Sequence, residues 1–122
     1  MKSLGKKLFL LLALLWTVQA QAQKMKLIEE YEAVVTQAKT ELDSSLKSGH
    51  LNDCKIKLKL KGEYIMNVTI GEKGKVLSVY TISNDTDDIP MQNKVKDCVR
   101  TQTFNFKMPK GKTYKFEYTF NF

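Results

Sequence analysis

The last ten residues, Thr113–Phe122, constrain the fold more than any other stretch of this chain. Tyr114, Phe116, Tyr118, Phe120 and Phe122 occupy alternate positions, with Lys115, Glu117, Thr119 and Asn121 between them. Successive side chains leave a pleated strand on opposite sides, so this period of two predicts a strand with one aromatic and one polar face. Each buried ring removes on the order of 150–250 Å² from water. A chain carrying such a ribbon must also supply a layer to cover it.

The start of the chain reads as a targeting segment. Lys2, Lys6 and Lys7 precede the apolar run Leu8–Val18, and Ala20-Gln21-Ala22 follows. A basic start, a short apolar core and an A-x-A site form the pattern of a cleavable secretory signal. The run is too short to span a bilayer, which takes about 20 residues, and no cysteine follows it for lipid attachment. Residues 1–22 are therefore expected to be removed, leaving 23–122 as a periplasmic or secreted chain with no stable membrane span. Loss of the three lysines takes the formal charge from +7 to +4. About 100 residues make one domain.

An exported chain meets an oxidising compartment, where two cysteines pair more readily than they stay free. Cys54 and Cys98 are too far apart in sequence for a C-x-x-C redox motif. As a metal centre the pair would need two further ligands, and the chain has a single histidine, His50. The expectation is a structural Cys54–Cys98 disulfide and no metal. On the chain-entropy model a loop of this length contributes about 3–4.7 kcal/mol as an upper figure.

Lys24 to Ser48 reads as one amphipathic helix. Leu27, Ile28, Tyr31, Val34, Val35, Ala38, Leu42 and Leu46 recur at three- and four-residue steps and line one stripe. Gly49 follows, suited to a left-handed helix end. The stripe is either core or a seam between two copies, since the helix is longer than a small sheet needs.

From Cys54 to Ile70 the parity is that of a strand. Even positions run Cys54, Ile56, Leu58, Leu60, Gly62, Tyr64, Met66, Val68, Ile70, while Lys55, Lys57, Lys59, Lys61, Glu63, Ile65, Asn67 and Thr69 take the odd ones. The stretch is one long strand kinked or bulged at Gly62, or two strands turning there. Gly71-Glu72-Lys73-Gly74 is a turn. A tip at Glu72-Lys73 sets Val68 against Leu77, Met66 against Val79, Tyr64 against Thr81 and Ile65 against Tyr80. The face holding Ile65, Tyr80 and Ile82 is then not simply polar: the first helix covers it, or it is an exposed patch.

Asn84–Asp88 forms a polar loop. Asp87 or Asp88 caps a helix with Pro90 in its first turn, and Ile89, Met91, Val95, Cys98, Val99 and Gln102 follow at helical spacing. Phe104 and Phe106 alternate after it, and Met108–Lys112 turns the chain into the aromatic strand. The expected fold class is α+β: a small antiparallel sheet with helices on one face, order α-β-β-α-β, with an additional strand near 55–60 as an option.

From Gly62 onward this layout resembles the C-terminal domain of TonB-type proteins, particularly the AgmX/PglI C-terminal branch. The resemblance rests on several features in order. An alternating strand follows a glycine (Gly62–Ile70), and Gly74-Lys75-Val76 opens the next. A short helix then holds Cys98, Phe104-Asn105-Phe106 has Pro109 close behind, and the final strand alternates phenylalanines. The family's upstream cysteine is matched by Cys54, which supports the Cys54–Cys98 pairing. The family often has tryptophan where this chain has Phe104, and its upstream cysteine lies further from the glycine. Energy-transducing members also keep a membrane anchor and a proline-rich arm, whereas this chain holds only Pro90 and Pro109. The resemblance implies the fold and a periplasmic interaction role, not energy coupling.

Function classes separate on these residues. The favoured expectation is a non-enzymatic envelope module that binds another envelope protein or an extended peptide by strand addition at the sheet edge. Its candidate surface is Lys115, Glu117 and Thr119, joined by Ile65, Tyr80 and Ile82 if these are uncovered. The alternative is a charge-driven binder of anionic envelope polymers through a row of Lys55, Lys57, Lys59 and Lys61. Lysines on an exposed edge strand also prevent edge-to-edge aggregation without binding anything. Aromatics that alternate inward leave no stacking platform beside those lysines, which argues against nucleic acid. Catalysis and cofactors are not expected: His50 reads as a solvated loop residue, and Ser44, Ser45 and Ser48 as helix-surface residues with no base at a recognisable spacing. Asp85, Asp87 and Asp88 lack the glycine and distal glutamate of a calcium loop.

Overall fold

The computed structural model describes residues 25–122; the expected signal segment lies outside them. In chain order the elements are β1 (Lys26–Leu27), α1 (Tyr31–Ser48), α2 (His50–Leu58), β2 (Glu63–Ile70), β3 (Val76–Asn84), α3 (Ile89–Arg100), β4 (Phe106–Lys107) and β5 (Tyr114–Asn121). The fold is α+β. An antiparallel sheet of order β3-β2-β5 carries the helices on one face, and β1 and β4 form a small parallel pair. No helix among the described residues is long and apolar enough to cross a membrane.

The alternation seen in the sequence sets the two faces of the sheet. Tyr64, Met66, Val68 and Ile70 of β2 are fully buried, as are Phe116 and Phe120 of β5 to within a few per cent. They meet Val34, Ala38 and Leu42 of α1, Leu51 of α2, and Val95 and Val99 of α3 in one core. Tyr118, Phe120 and Phe122 touch ring to ring, and Phe122 reaches Tyr64 at 6.3 Å between centroids. Asp88 caps α3, accepting from the Met91 amide at 3.0 Å, with Pro90 in the first turn.

Several local expectations are corrected. The first helix begins at Tyr31, not Lys24. Leu27 pairs with Lys107 in the β1–β4 ladder, the Ile28 amide donates to the Lys107 carbonyl at 2.9 Å, and the Tyr114 hydroxyl donates to the Glu29 carbonyl at 2.9 Å. Partners remote in sequence hold this segment extended against its helical periodicity. Gly49 is not left-handed (φ −112°). A side chain there would put its Cβ 2.9 Å from the Ser45 Cα, so glycine serves the tight junction of α1 with α2.

The largest correction falls on residues 50–61. They form α2 and its left-handed end at Lys59 (φ 55°), not a strand, and β2 starts only after Gly62. Leu51, Cys54 and Leu58 also fall at helical spacing, and lysine and leucine are good helix formers. A helix here buries Leu51 completely and delivers Cys54 to Cys98 on α3. The disulfide is present, with Cα atoms 6.2 Å apart, and ties α2 to α3.

The β2–β3 hairpin forms with a different register, and the expected faces hold only over its middle. Val68 faces Val79, Met66 faces Thr81 and Asn67 faces Tyr80, a slip of two residues from the tight-turn expectation. The loop is wider than expected, closed by the Gly71 amide donating to the Lys75 carbonyl at 2.9 Å. A slip of two leaves Val79 and Thr81 on the core side. The bulges change the parity at the ends of β3: Leu77, expected opposite Val68 on the core face, is 59% exposed, and Val76 packs against the core instead. Irregularities next to Ile70 and Met66 leave Leu77 and Ile82 as unpaired, exposed residues of β3. Gly74 (φ 73°) lies where a Cβ would meet the Phe106 carbonyl oxygen at 2.4 Å. That close approach lets the Phe104 amide reach the Gly74 carbonyl at 2.8 Å and locks the hairpin to the segment before β4.

Candidate docking edge

β5 lies at the edge of the sheet, and its backbone direction follows from one hydrogen bond. The Phe122 amide donates to the Gly62 carbonyl at 3.0 Å, extending the β2–β5 ladder by one pair. In an antiparallel pair, residues that exchange both backbone bonds alternate with residues that face away. Even-numbered residues of β5 therefore bond to β2, and Lys115, Glu117, Thr119 and Asn121 turn their amides and carbonyls outward. The Tyr31 hydroxyl takes the first of these carbonyls, donating to Lys115 at 2.8 Å. From Glu117 to Asn121 the outward groups have no backbone partner among the described residues. This free edge is about 14 Å long at a rise of ~3.4 Å per residue.

Helix α1 runs beside that edge and makes a groove of about 830 Å³ with it. Lys39, Asp43 and Lys47, at four-residue steps, join Leu46 on the helical wall; Ile65, Glu117, Tyr118, Thr119 and Asn121 form the sheet side. The Tyr118 hydroxyl donates to the Asp43 carboxylate across the floor. Burial, then that hydrogen bond and the Asp43 charge, hold the Tyr118 phenol well above its usual pKa. The contact fixes the spacing between helix and strand with a hydrogen bond to a charged acceptor, stronger than a neutral one.

The sequence-derived candidates are distributed as follows. Lys115, Glu117 and Thr119 are exposed on the outer face of β5. Ile65 is half-buried between Ser83 and Thr119 and reaches the groove. Tyr80 stands 71% exposed on the same outer face opposite Asn67, and Ile82 is the extra residue of a bulge. Among the described residues nothing covers this face: α1 packs on the other side of the sheet. The lysine row does not assemble, because Lys55 and Lys57 lie on α2, Lys59 caps it and Lys61 is in the following loop. Residues two apart on a helix point in different directions, so the strand geometry behind the anionic-polymer reading is absent.

Two polar residues depart from their expected places. Ser45 is buried, donating to Gln102 Oε1 at 2.7 Å and accepting from the Leu51 amide at 2.9 Å. His50 opens α2 half-buried, with Nε2 2.7 Å from Thr101 Oγ1, 3.0 Å from the Cys98 carbonyl and 3.7 Å from Cys54 Sγ. The groove residues of α1 carry little sequence signal, because a charged helical face ordinarily faces solvent; the four-residue spacing of Lys39, Asp43 and Lys47 is the one cue to them. No family model, curated protein or solved structure matches this chain.

Proposed function

We propose that this protein is a non-enzymatic interaction module of the cell envelope that captures an extended segment of another envelope protein by strand addition at β5. The observation that carries the reading is the run of outward backbone groups from Glu117 to Asn121 along the groove beside α1. Main-chain pairing supplies affinity in such recognition, and pockets for alternate side chains supply specificity. An incoming strand would set alternate side chains toward Leu46 and the Lys39–Asp43–Lys47 wall and toward the outer sheet face.

Periplasmic placement rests on the signal-like pattern of residues 1–22, and relation to the TonB C-terminal domain rests on the sequence resemblance; both belong to the proposal. The test is to select binders from a displayed peptide library against the protein and follow backbone amide exchange on binding. Selected peptides should slow exchange at Glu117, Thr119 and Asn121 while leaving the amides already bonded to β2 nearly unchanged. Binders that leave those three amides fast would refute strand addition.

A further inference from the structure

His50, Cys54 and Cys98 bring an imidazole nitrogen and two sulfurs within 4.8 Å of one another. We propose that reduction of the Cys54–Cys98 bond turns this cluster into a binding site for a thiophilic divalent cation, Zn²⁺ above all. This cluster lies apart from the docking edge, which runs along β5 and α1.

The local fold presents the donors ready-made. His50 and Cys54 are one turn apart on α2 and so share a face, while α3 brings Cys98 up to it. On one tetrahedral zinc, with Zn–N about 2.0–2.1 Å and Zn–S about 2.3 Å, a nitrogen and a sulfur lie about 3.6 Å apart. The observed separation of His50 Nε2 from Cys54 Sγ is 3.7 Å. Two thiolates on the same ion need about 3.8 Å on the same geometry. Cysteines whose Cα atoms are 6.2 Å apart reach that spacing by side-chain rotation.

Metal binding would not strand the Thr101 hydroxyl. His50 Nε2 now sits 2.7 Å from Thr101 Oγ1. When the nitrogen lone pair goes to the cation, the Thr101 hydroxyl keeps the Cys98 carbonyl as its acceptor at 2.9 Å. His50 and Cys54 are half-buried, which leaves a solvent side for water as the fourth ligand. A divalent ion with two thiolates and a neutral imidazole has no net charge, so partial burial costs it little. Two sulfur ligands also favour zinc over magnesium or calcium, which take oxygen donors.

The chemistry balances with a dithiol as reductant. One of its thiolates attacks a sulfur of the Cys54–Cys98 bond and forms a mixed disulfide, and its second thiol resolves it. The reductant leaves as its own disulfide, having given two electrons, and both cysteines become thiols. The cation then displaces the two thiol protons. The α2–α3 link survives in either state, as a covalent bond or through the ion.

The test uses the full chain reduced with a phosphine, titrated with Co²⁺ as the spectroscopic probe and then with Zn²⁺ in competition. Reduced protein should bind one ion per chain, with thiolate charge-transfer absorption and the visible bands of tetrahedral cobalt; oxidised protein should show neither. His50→Ala should weaken binding by more than the roughly 10–100-fold that loss of an outer partner costs. Zinc should raise the melting temperature of the reduced protein and raise it less for reduced His50→Ala. Oxidised His50→Ala serves as the folding control, by circular dichroism. The proposal is overturned if the reduced chain shows no cobalt spectrum, if zinc fails to stabilise it, or if a folded His50→Ala binds as tightly as the parent.

Discussion

The Tyr31 hydroxyl donates to the Lys115 carbonyl at 2.8 Å and thereby marks where the open edge of β5 begins. The same ring meets Tyr114 edge-on at 5.4 Å, so the start of α1 is pinned to the start of β5 by one polar and one aromatic contact. Tyr31→Phe keeps the ring contact and removes only the donor. It should cost no more than about 0.5–1.5 kcal/mol in urea denaturation, and it frees the Lys115 carbonyl for an incoming strand.

Proline separates edge binding from folding. Thr119 turns its amide outward, so Thr119→Pro removes no ladder bond and should fold, as proline is tolerated at such edge positions. It should abolish strand addition by deleting a donor at the centre of the free edge. Tyr118→Pro removes an amide bonded to β2 and should unfold the sheet. Circular dichroism and peptide binding measured on both variants check the pair.

The two faces of the sheet predict opposite sensitivities. Phe120 is fully buried, and Phe120→Ala should cost about 3–5 kcal/mol. Tyr80 stands on the open face, and Tyr80→Ala should leave stability within about 0.5 kcal/mol. Thermal or chemical unfolding reads both.

Ser45 holds a buried junction between α1, α2 and the segment that follows α3. Ser45→Ala would leave the Leu51 amide and Gln102 Oε1 without their present partner. An unsatisfied buried polar group costs about 1–3 kcal/mol, so this one-atom deletion should destabilise far more than Ser44→Ala on the exposed side of α1. Urea midpoints of the two variants make the comparison.

Alkaline pH should weaken the fold through Tyr118 and Tyr64. Burial is the leading cause of both raised phenol pKa values, with Asp43 acting on Tyr118 and Asp85 and Asp88 on Tyr64. The folded state thus favours the neutral phenol. This stability is fully present below the ordinary tyrosine value of 10.0 and is lost as pH rises above it toward the folded values. Ultraviolet titration of the phenolates, together with unfolding curves across that range, should show late-titrating tyrosines and a falling midpoint. Tyr118→Phe should remove part of that fall.

Features that depend on neighbours a few residues away are legible in the amino-acid order. Alternation set which side of β2 and β5 faces the core, and those faces survive a two-residue change of hairpin register because the pleat repeats every two residues. The cap at Asp88 and the turn at Gly71–Gly74 are likewise local chemistry. The remainder follows from packing between distant segments. Residues 50–58 suit a strand by parity and a helix by the spacing of Leu51, Cys54 and Leu58; burial of Leu51 and the bond to Cys98 favour the helix. Strand order, which leaves β5 at an edge with α1 beside it, is a long-range outcome that no local period encodes. The lysine row vanished, and the groove and the His50–Cys54–Cys98 cluster appeared, for that same reason: each depends on which distant segments become neighbours.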